Sequence, residues 1–240
     1  FSKDSVSKIM WTVILCALPA AVFGICYFGL PALYTVVLSI VSAVAFEAMV
    51  LKLRKRRVTV LDGSAILTGL LLAMSIPPNV PFFIPIIGSF IAIVIAKHAM
   101  GGLGHNIFNP AHIGRAALVV SWPVLMTKFT TMQVVDGVSG ATPLNVLKNQ
   151  GYDAVVDMFG SHAKMYESLF LGFRNGSLGE TSVLLLCLGG AYLIYKKYID
   201  WVVPVSMIGT VALLTWIFGP SGLFTGDPLF HAMSGGLVIG

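Results

Sequence analysis

The sequence predicts an all-α, polytopic membrane protein, and three observations carry that expectation. Hydrophobic residues make up 57% of the 240 residues and charged ones only 10%, against roughly a quarter charged in soluble chains. Apolar runs close to the length of a bilayer crossing follow one another with few charges inside them. Basic residues gather at the ends of those runs rather than along a polar surface. A soluble domain of this size would need polar surface to cover its core, so a single membrane domain over residues 1–240 is expected. The chain opens at Phe1 without an initiator Met and stops at Gly240 within an apolar run, and it reads as part of a longer protein.

Measured against the roughly 20 residues that cross a bilayer, the runs place helices at 9–29, 31–51, 64–76, 82–96 and 111–125, then at 181–195 and 201–218, with a last one starting near 228. About eight spans result. Several are short, and 64–76 runs into Pro77-Pro78, so it is expected to cross only part of the membrane as a broken helix. Asp62 and Asp227 each precede an apolar run and are expected to cap free amide groups, with ion gates as the alternative. The stretch Gly176-Ser-Leu-Gly-Glu180-Thr181 reads likewise as a capped entry to a span. The segments opening at Asp62 and Asp227 echo each other weakly, through Thr68-Gly69-Leu and Ser234-Gly235-Gly236-Leu. Paired interrupted segments of this kind mark repeats in transporters, and a chance match of common membrane residues explains them equally well.

Sidedness follows from charge. With the amino terminus in the cytoplasm, Lys3, Lys8, the cluster Lys52, Arg54, Lys55, Arg56 and Arg57, then Lys97, Arg115, Lys196 and Lys197 fall at cytoplasmic ends of spans. The long segment 127–180, with Lys128, Lys148, Lys164 and Arg174, becomes an extracytoplasmic loop. The net charge of +5 is therefore a topology signal and no nucleic-acid footprint, since no basic surface interleaved with stacking aromatics exists. Cys16, Cys26 and Cys187 have no paired spacing and are expected as small buried side chains. His98, His105, His112 and His231 show no tight metal-ligand pattern, and no metal site is expected.

An ionised side chain at mid-bilayer is unfavourable by ~3 kcal/mol or more, which makes Glu47, in an otherwise apolar span, a candidate for the path of a cation or proton. It equally fits a residue near the cytoplasmic interface paired with Lys52 or Arg54. Between Gly101 and Pro110 the helices are interrupted, and Asn106 and Asn109 there could bind a flavin edge or a sodium ion through oxygen. A turn whose asparagines cap neighbouring backbone is the plainer account.

The sharpest local signal is Asp136-Gly137-Val138-Ser139-Gly140-Ala141-Thr142, followed by Pro143. Gly137 and Gly140 permit close approach by another molecule, and Ala141 leaves the Thr142 hydroxyl unobstructed. An ordinary turn has the same composition. The seven residues resemble the acceptor motif of flavin transferases, which attach FMN from FAD to a threonine hydroxyl as a phosphoester. Gly101-Gly-Leu-Gly-His-Asn106-Ile-Phe-Asn109-Pro110-Ala111, the segment from Asp62 to Ala73, Gly176 to Thr181, the opening Ser5-Val-Ser-Lys-Ile-Met10 and Asp227-Pro-Leu-Phe-His231 resemble the D subunits of Rnf complexes. The likeness to these exceeds that to the related B subunit of the sodium-translocating NADH:quinone oxidoreductase.

That resemblance implies a subunit of a redox-driven ion translocase, a ferredoxin:NAD oxidoreductase that moves Na+ or H+ across a bacterial or archaeal cytoplasmic membrane. It implies covalent FMN on Thr142 with Asp136, Gly137, Ser139, Gly140 and Ala141 as the transfer motif, and a second flavin, riboflavin, within the helices. It also implies an inverted-repeat, urea-transporter-like architecture, and as partners the other Rnf subunits, above all the covalent-flavin G subunit, and a flavin transferase. A cofactor-free solute channel or secondary transporter is the rival reading, and a structural anchor for a soluble redox partner is a second.

Overall fold

The computed structural model describes residues 4–56, 59–128, 142–173, 176–180, 182–219 and 227–234. All regular structure among them is helical. The chain begins with a hairpin of two long helices, α1 (Val6–Phe28, 23 residues) and α2 (Leu30–Leu53, 24 residues). The Ser5 hydroxyl caps α1, accepting the Lys8 amide at 3.3 Å, and Gly29 turns the chain at φ 75° into α2, where Pro31 occupies the first turn. At 1.5 Å per residue each helix reaches about 35 Å, enough to cross a hydrocarbon core of about 30 Å.

The next helices are shorter, as the expected broken spans require. After α3 (Ser64–Ser75) come α4 (Phe83–Phe90), α5 (Pro110–Ser121) and α6 (Pro123–Thr127), and beyond the loop α10 (Val183–Tyr195), α11 (Val202–Phe218) and α12 (Pro228–Ser234). α3 stops where Pro77-Pro78 cannot continue it. It crosses α2 so closely that a Cβ on Gly69 would lie 2.8 Å from both the Ile40 Cα and the Ser39 carbonyl oxygen. At the contact of α5 with α4, a Cβ on Gly114 would lie 2.7 Å from the Gly88 carbonyl oxygen. Small residues at such crossings let backbones meet where lipid offers no hydrophobic drive between helices. Two buried hydroxyls add cross-links: Thr35 donates to the Pro78 carbonyl (2.9 Å) and Ser89 to the Ser39 carbonyl (3.0 Å).

The core gathers Ile14, Ala20, Val36, Leu70, Met74 and Leu178 at one level, and Leu72, Ile84 and Leu118 at another. The outward faces stay apolar, with Leu15, Leu188, Val203 and Trp216 exposed, as surfaces meant for lipid or neighbouring subunits. Cys26 and Cys187 share this outward position, against the expectation of burial. Asp4 beside the start of α1 accepts hydrogen bonds from Lys8 (2.7 Å) and from Tyr198 (2.5 Å) in the turn before α11, so these two segments lie together.

The segment expected as a long loop contains three short helices, α7 (Pro143–Gln150), α8 (Tyr152–Phe159) and α9 (His162–Leu171). They pack Val146, Leu147, Val155, Met165 and Leu169 against Phe230 of α12. The loop is thus a small folded unit seated on the start of α12.

Candidate functional site

α4 continues without a break into a nine-residue π-helix, Ile91–Ala99. Wider turns of this kind are rare and often sit at functional positions. Lys97 near its end is 1% exposed and donates to the Glu47 carboxylate of α2 (2.7 Å) and to the Ser64 hydroxyl of α3 (2.7 Å). Ser64 in turn donates its hydroxyl to Asp62 (2.7 Å), whose carboxylate also accepts the Ser64 amide (2.9 Å) at the start of α3. A hydrogen-bonded chain therefore runs Glu47, Lys97, Ser64, Asp62. His98 Nε2 lies 3.4 Å from the same Glu47 oxygen, is buried, and makes no hydrogen bond among the described residues.

Two sequence readings change here. Glu47 is 3% exposed, and its cationic partner is Lys97, neither Lys52 nor Arg54. Lys97, assigned with the topology-setting charges at a cytoplasmic end, is withdrawn from solvent and neutralised inside the protein. Arg115 changes as well. Its guanidinium is 3.9 Å from the Glu180 carboxylate, although alternating spans put the two on opposite faces. α5 and the 3-10 turn Leu178–Glu180 therefore meet at one depth, as short helices that stop within the molecule can.

Beside Lys97 opens a cavity of about 370 Å³ lined by Ser64, Thr68, Lys97, Asn106, Phe108 and Asn109, among others. Gly101, Gly102 and Gly104, at φ 119°, 100° and 88°, carry the chain around its rim in conformations that side chains disfavour. In the orientation its neighbours demand, the Asn106 amide nitrogen donates to the carbonyls of Gly102 (3.1 Å) and Lys97 (3.3 Å), closing the end of the π-helix. Asn109 caps α5 by accepting the Ala111 amide (3.0 Å). Both asparagines thus hold backbone, the plainer of the two sequence readings, and both still face the cavity.

Asp136, Gly137, Ser139, Gly140 and Ala141 lie outside the described residues. Thr142 is described, as the cap of α7, and its Oγ1 accepts the Asn145 amide at 3.3 Å. Asp227 caps α12 as expected, accepting the Phe230 amide (2.7 Å), and its other oxygen accepts the hydroxyls of Tyr152 (2.7 Å) and Tyr166. Burial alone would push the Asp227 carboxyl up, but the bonds from Tyr166, the Phe230 amide and Tyr152 outweigh it and hold the group below its ordinary value. The Tyr152 and Tyr166 phenols are both pushed up, first by burial and then by these same hydrogen bonds. The carboxylate with two phenols is the clamp that seats the loop unit on α12.

Over residues 1–240 the chain matches the NQR2, RnfD, RnfE family. It belongs to that family. Its relatives include the D subunit of the proton-translocating ferredoxin:NAD(+) oxidoreductase complex of Clostridium ljungdahlii, 60% identical over 99% of this chain and 72% of the relative. The Na(+)-translocating counterpart from Acetobacterium woodii is 40% identical over 100% of this chain and 71% of the relative. The D subunit of the ion-translocating oxidoreductase complex of Rhodobacter capsulatus is 40% identical over 98% and 72% respectively. Within the NQR2, RnfD, RnfE family the chain thus stands with the Rnf D subunits, as its motifs imply.

Proposed function

We propose that this chain is the membrane electron-relay subunit of an ion-translocating ferredoxin:NAD oxidoreductase, that it carries FMN as a phosphoester on Thr142, and that it couples electron transfer to movement of Na+ or H+. The observation that carries the reading is the family match across 1–240 together with the seven-residue acceptor motif ending at Thr142. Its partners are then the other subunits of the complex, including a G-type subunit with its own covalent flavin, and a flavin transferase during maturation. The cytoplasmic membrane holds it, with the amino terminus inside and Thr142 outside.

The geometry at Thr142 suits a phosphoester. Among the described residues its oxygen serves only as an acceptor, at 3.3 Å from the Asn145 amide, so esterification removes no bond donated to them. The attached phosphate would sit at the amino end of α7, where backbone N–H groups and the helix dipole favour negative charge. Bound FMN supplies the electron chemistry, and the protein contributes position and insulation. α7 holds the attachment point against α8, α9 and Phe230, and the Asp227 clamp fixes that unit to the helices.

For the ion, the same reading assigns Glu47, Asn106 and Asn109 to the path, with Glu47 behind Lys97 and both asparagines on the adjoining cavity. Riboflavin, where present, belongs within the helices.

The test is attachment. The chain is purified from cells containing the matching flavin transferase, denatured, and measured by intact mass and in-gel fluorescence beside Thr142→Ala. An FMN-sized mass increment and a fluorescent band, both lost in the variant, are expected. A bare chain despite a competent transferase overturns the reading in favour of a cofactor-free channel or transporter. Normal electron transfer by the complex after Thr142→Ala would reduce the subunit to an anchor.

A further inference from the structure

The fully buried lysine asks for an account. A buried ion pair adds little over a well-packed apolar pair of the same volume, because desolvation cancels most of the Coulombic gain. Stability is therefore a poor reason for Glu47 and Lys97 to face each other. The surroundings suggest another. Lys97 lies between two carboxylates, touching Glu47 directly and Asp62 through the Ser64 hydroxyl, so the three groups together are one positive charge short of neutral. Arg54, whose field also reaches His98, is exposed, so solvent screens it. The cavity adjoins Lys97 and Ser64.

We propose that Lys97 is a tethered stand-in for a mobile monovalent cation at Glu47: when the cation, Na+ or H+, reaches the Glu47 carboxylate, the ammonium swings onto Ser64 and Asp62. The proposal rests on the ion-translocating reading above. The swing is small, since one of the two present hydrogen bonds, that to Ser64, is already on the destination side. The positive charge lost by Glu47 is replaced by the incoming ion, and the ammonium moves toward the second carboxylate. Among the described residues, His98 Nε2 lies 3.4 Å from the same Glu47 oxygen and stays beside it once Lys97 leaves. Return of the ammonium to Glu47 expels the cation, so the two positive charges alternate at one carboxylate and never share it.

The experiment reads the position of Lys97 by its reactivity in the detergent-solubilised, complete complex. Amidination by methyl acetimidate is followed by mass spectrometry, with the rate at Lys97 divided by that at Lys148, which is exposed and remote in sequence from the pair. One arm compares sodium chloride with choline chloride at fixed alkaline pH. The other omits sodium and lowers the pH. Turnover of the same preparation is recorded in each condition.

The ratio is expected to rise by about tenfold when the coupling cation is added, with sodium in one arm or protons in the other identifying which cation acts. Glu47→Gln is expected to leave Lys97 as reactive without the cation as the unaltered chain is with it. A ratio that stays flat in both arms while turnover remains cation-dependent overturns the proposal and leaves the ion-translocating reading standing. Turnover that ignores both cations overturns that reading itself. If Glu47→Gln fails to assemble, the measurement on the unaltered complex decides alone.

Discussion

Removing one member of the Glu47–Lys97 pair tests the buried ion pair most directly. The side chains are 4% and 1% exposed, so neither charge left behind by a single substitution can reach water without local rearrangement. Stranding one buried partner costs about 3–5 kcal/mol, whereas replacing both by apolar groups of similar volume is neutral or favourable. At about 2–4 °C per kcal/mol for a chain of this size, Lys97→Met should lower the thermal midpoint by about 6–20 °C. Glu47→Leu should lower it by less, because Ser64 and, through it, Asp62 still hold the ammonium. The double variant should regain most of the Lys97→Met loss, which a simple sum of the two single effects cannot give. The assay is thermal unfolding of the purified complex followed by thiol-reactive dye or fluorescent size exclusion. Single substitutions that shift the midpoint by under about 1 °C, or effects that simply add, would refute the geometry, since an additive result means that the two charges do not touch.

Three further outcomes follow from other sites. Thr142→Ala should lose flavin and also destabilise the start of α7 by about 1 kcal/mol through loss of the cap, while Thr142→Ser keeps the cap; hydrogen exchange at Asn145 and Val146 reports the difference. The depressed Asp227 carboxyl supplies stability that is complete above its unfolded value of about 4 and is lost as pH falls through the lower folded value. Protection factors across α8 and α9, corrected for the intrinsic pH dependence of exchange, should therefore fall in acid, and Asp227→Asn should abolish that acid step; the raised Tyr152 and Tyr166 phenols add a second fall above about pH 10. Gly69→Leu should force α2 and α3 apart, because even a Cβ would lie 2.8 Å from the α2 backbone, at a cost of about 1–3 kcal/mol or more; yield of folded subunit after detergent extraction measures it.

Much of the helical frame is legible from hydropathy alone, because lipid obliges each crossing segment to satisfy its own backbone and to be apolar over a continuous run. The expected run 31–51 is the observed Leu30–Leu53, and 201–218 is Val202–Phe218. The loop helices were not legible by that signal, being 8 to 10 residues long and only partly apolar. Their punctuation was in the sequence all the same: Thr142-Pro143 opens one, Ser161 opens another, and Gly151, Gly160 and Gly172, all with positive φ, close the three. The partner of Glu47 could not be read at all. Lys97 is 50 residues away, and its charge looked like one more mark of sidedness. Periodicity says which face of a helix is apolar, and says nothing about which two polar exceptions on different helices will meet.

The placement of α3 links the Lys97 site mechanically to the turn Leu178–Glu180. Its first residue, Ser64, accepts the Lys97 ammonium, and its later residues Leu70, Ala73 and Met74 pack with Leu178 in the turn that leads from the loop to α10. Twelve residues span only about 18 Å, and the close crossing at Gly69 pins the middle of the helix to α2. A rod held at its centre transmits a shift at one end to the other. Moving the ammonium onto Ser64 and Asp62 would load the capped end of α3, and a shift there would be felt where Leu70, Ala73 and Met74 meet Leu178. Coupling between sites typically amounts to about 1–3 kcal/mol, well within what the rearrangement of one buried charge can supply. On the proposed reading of FMN on Thr142 and the ion at Glu47, a continuous wire of hydrogen bonds between the two is unnecessary. Gly69 then becomes the informative position, because loosening the fulcrum should weaken the dependence of electron transfer on the cation more than it weakens either electron transfer or cation binding measured separately.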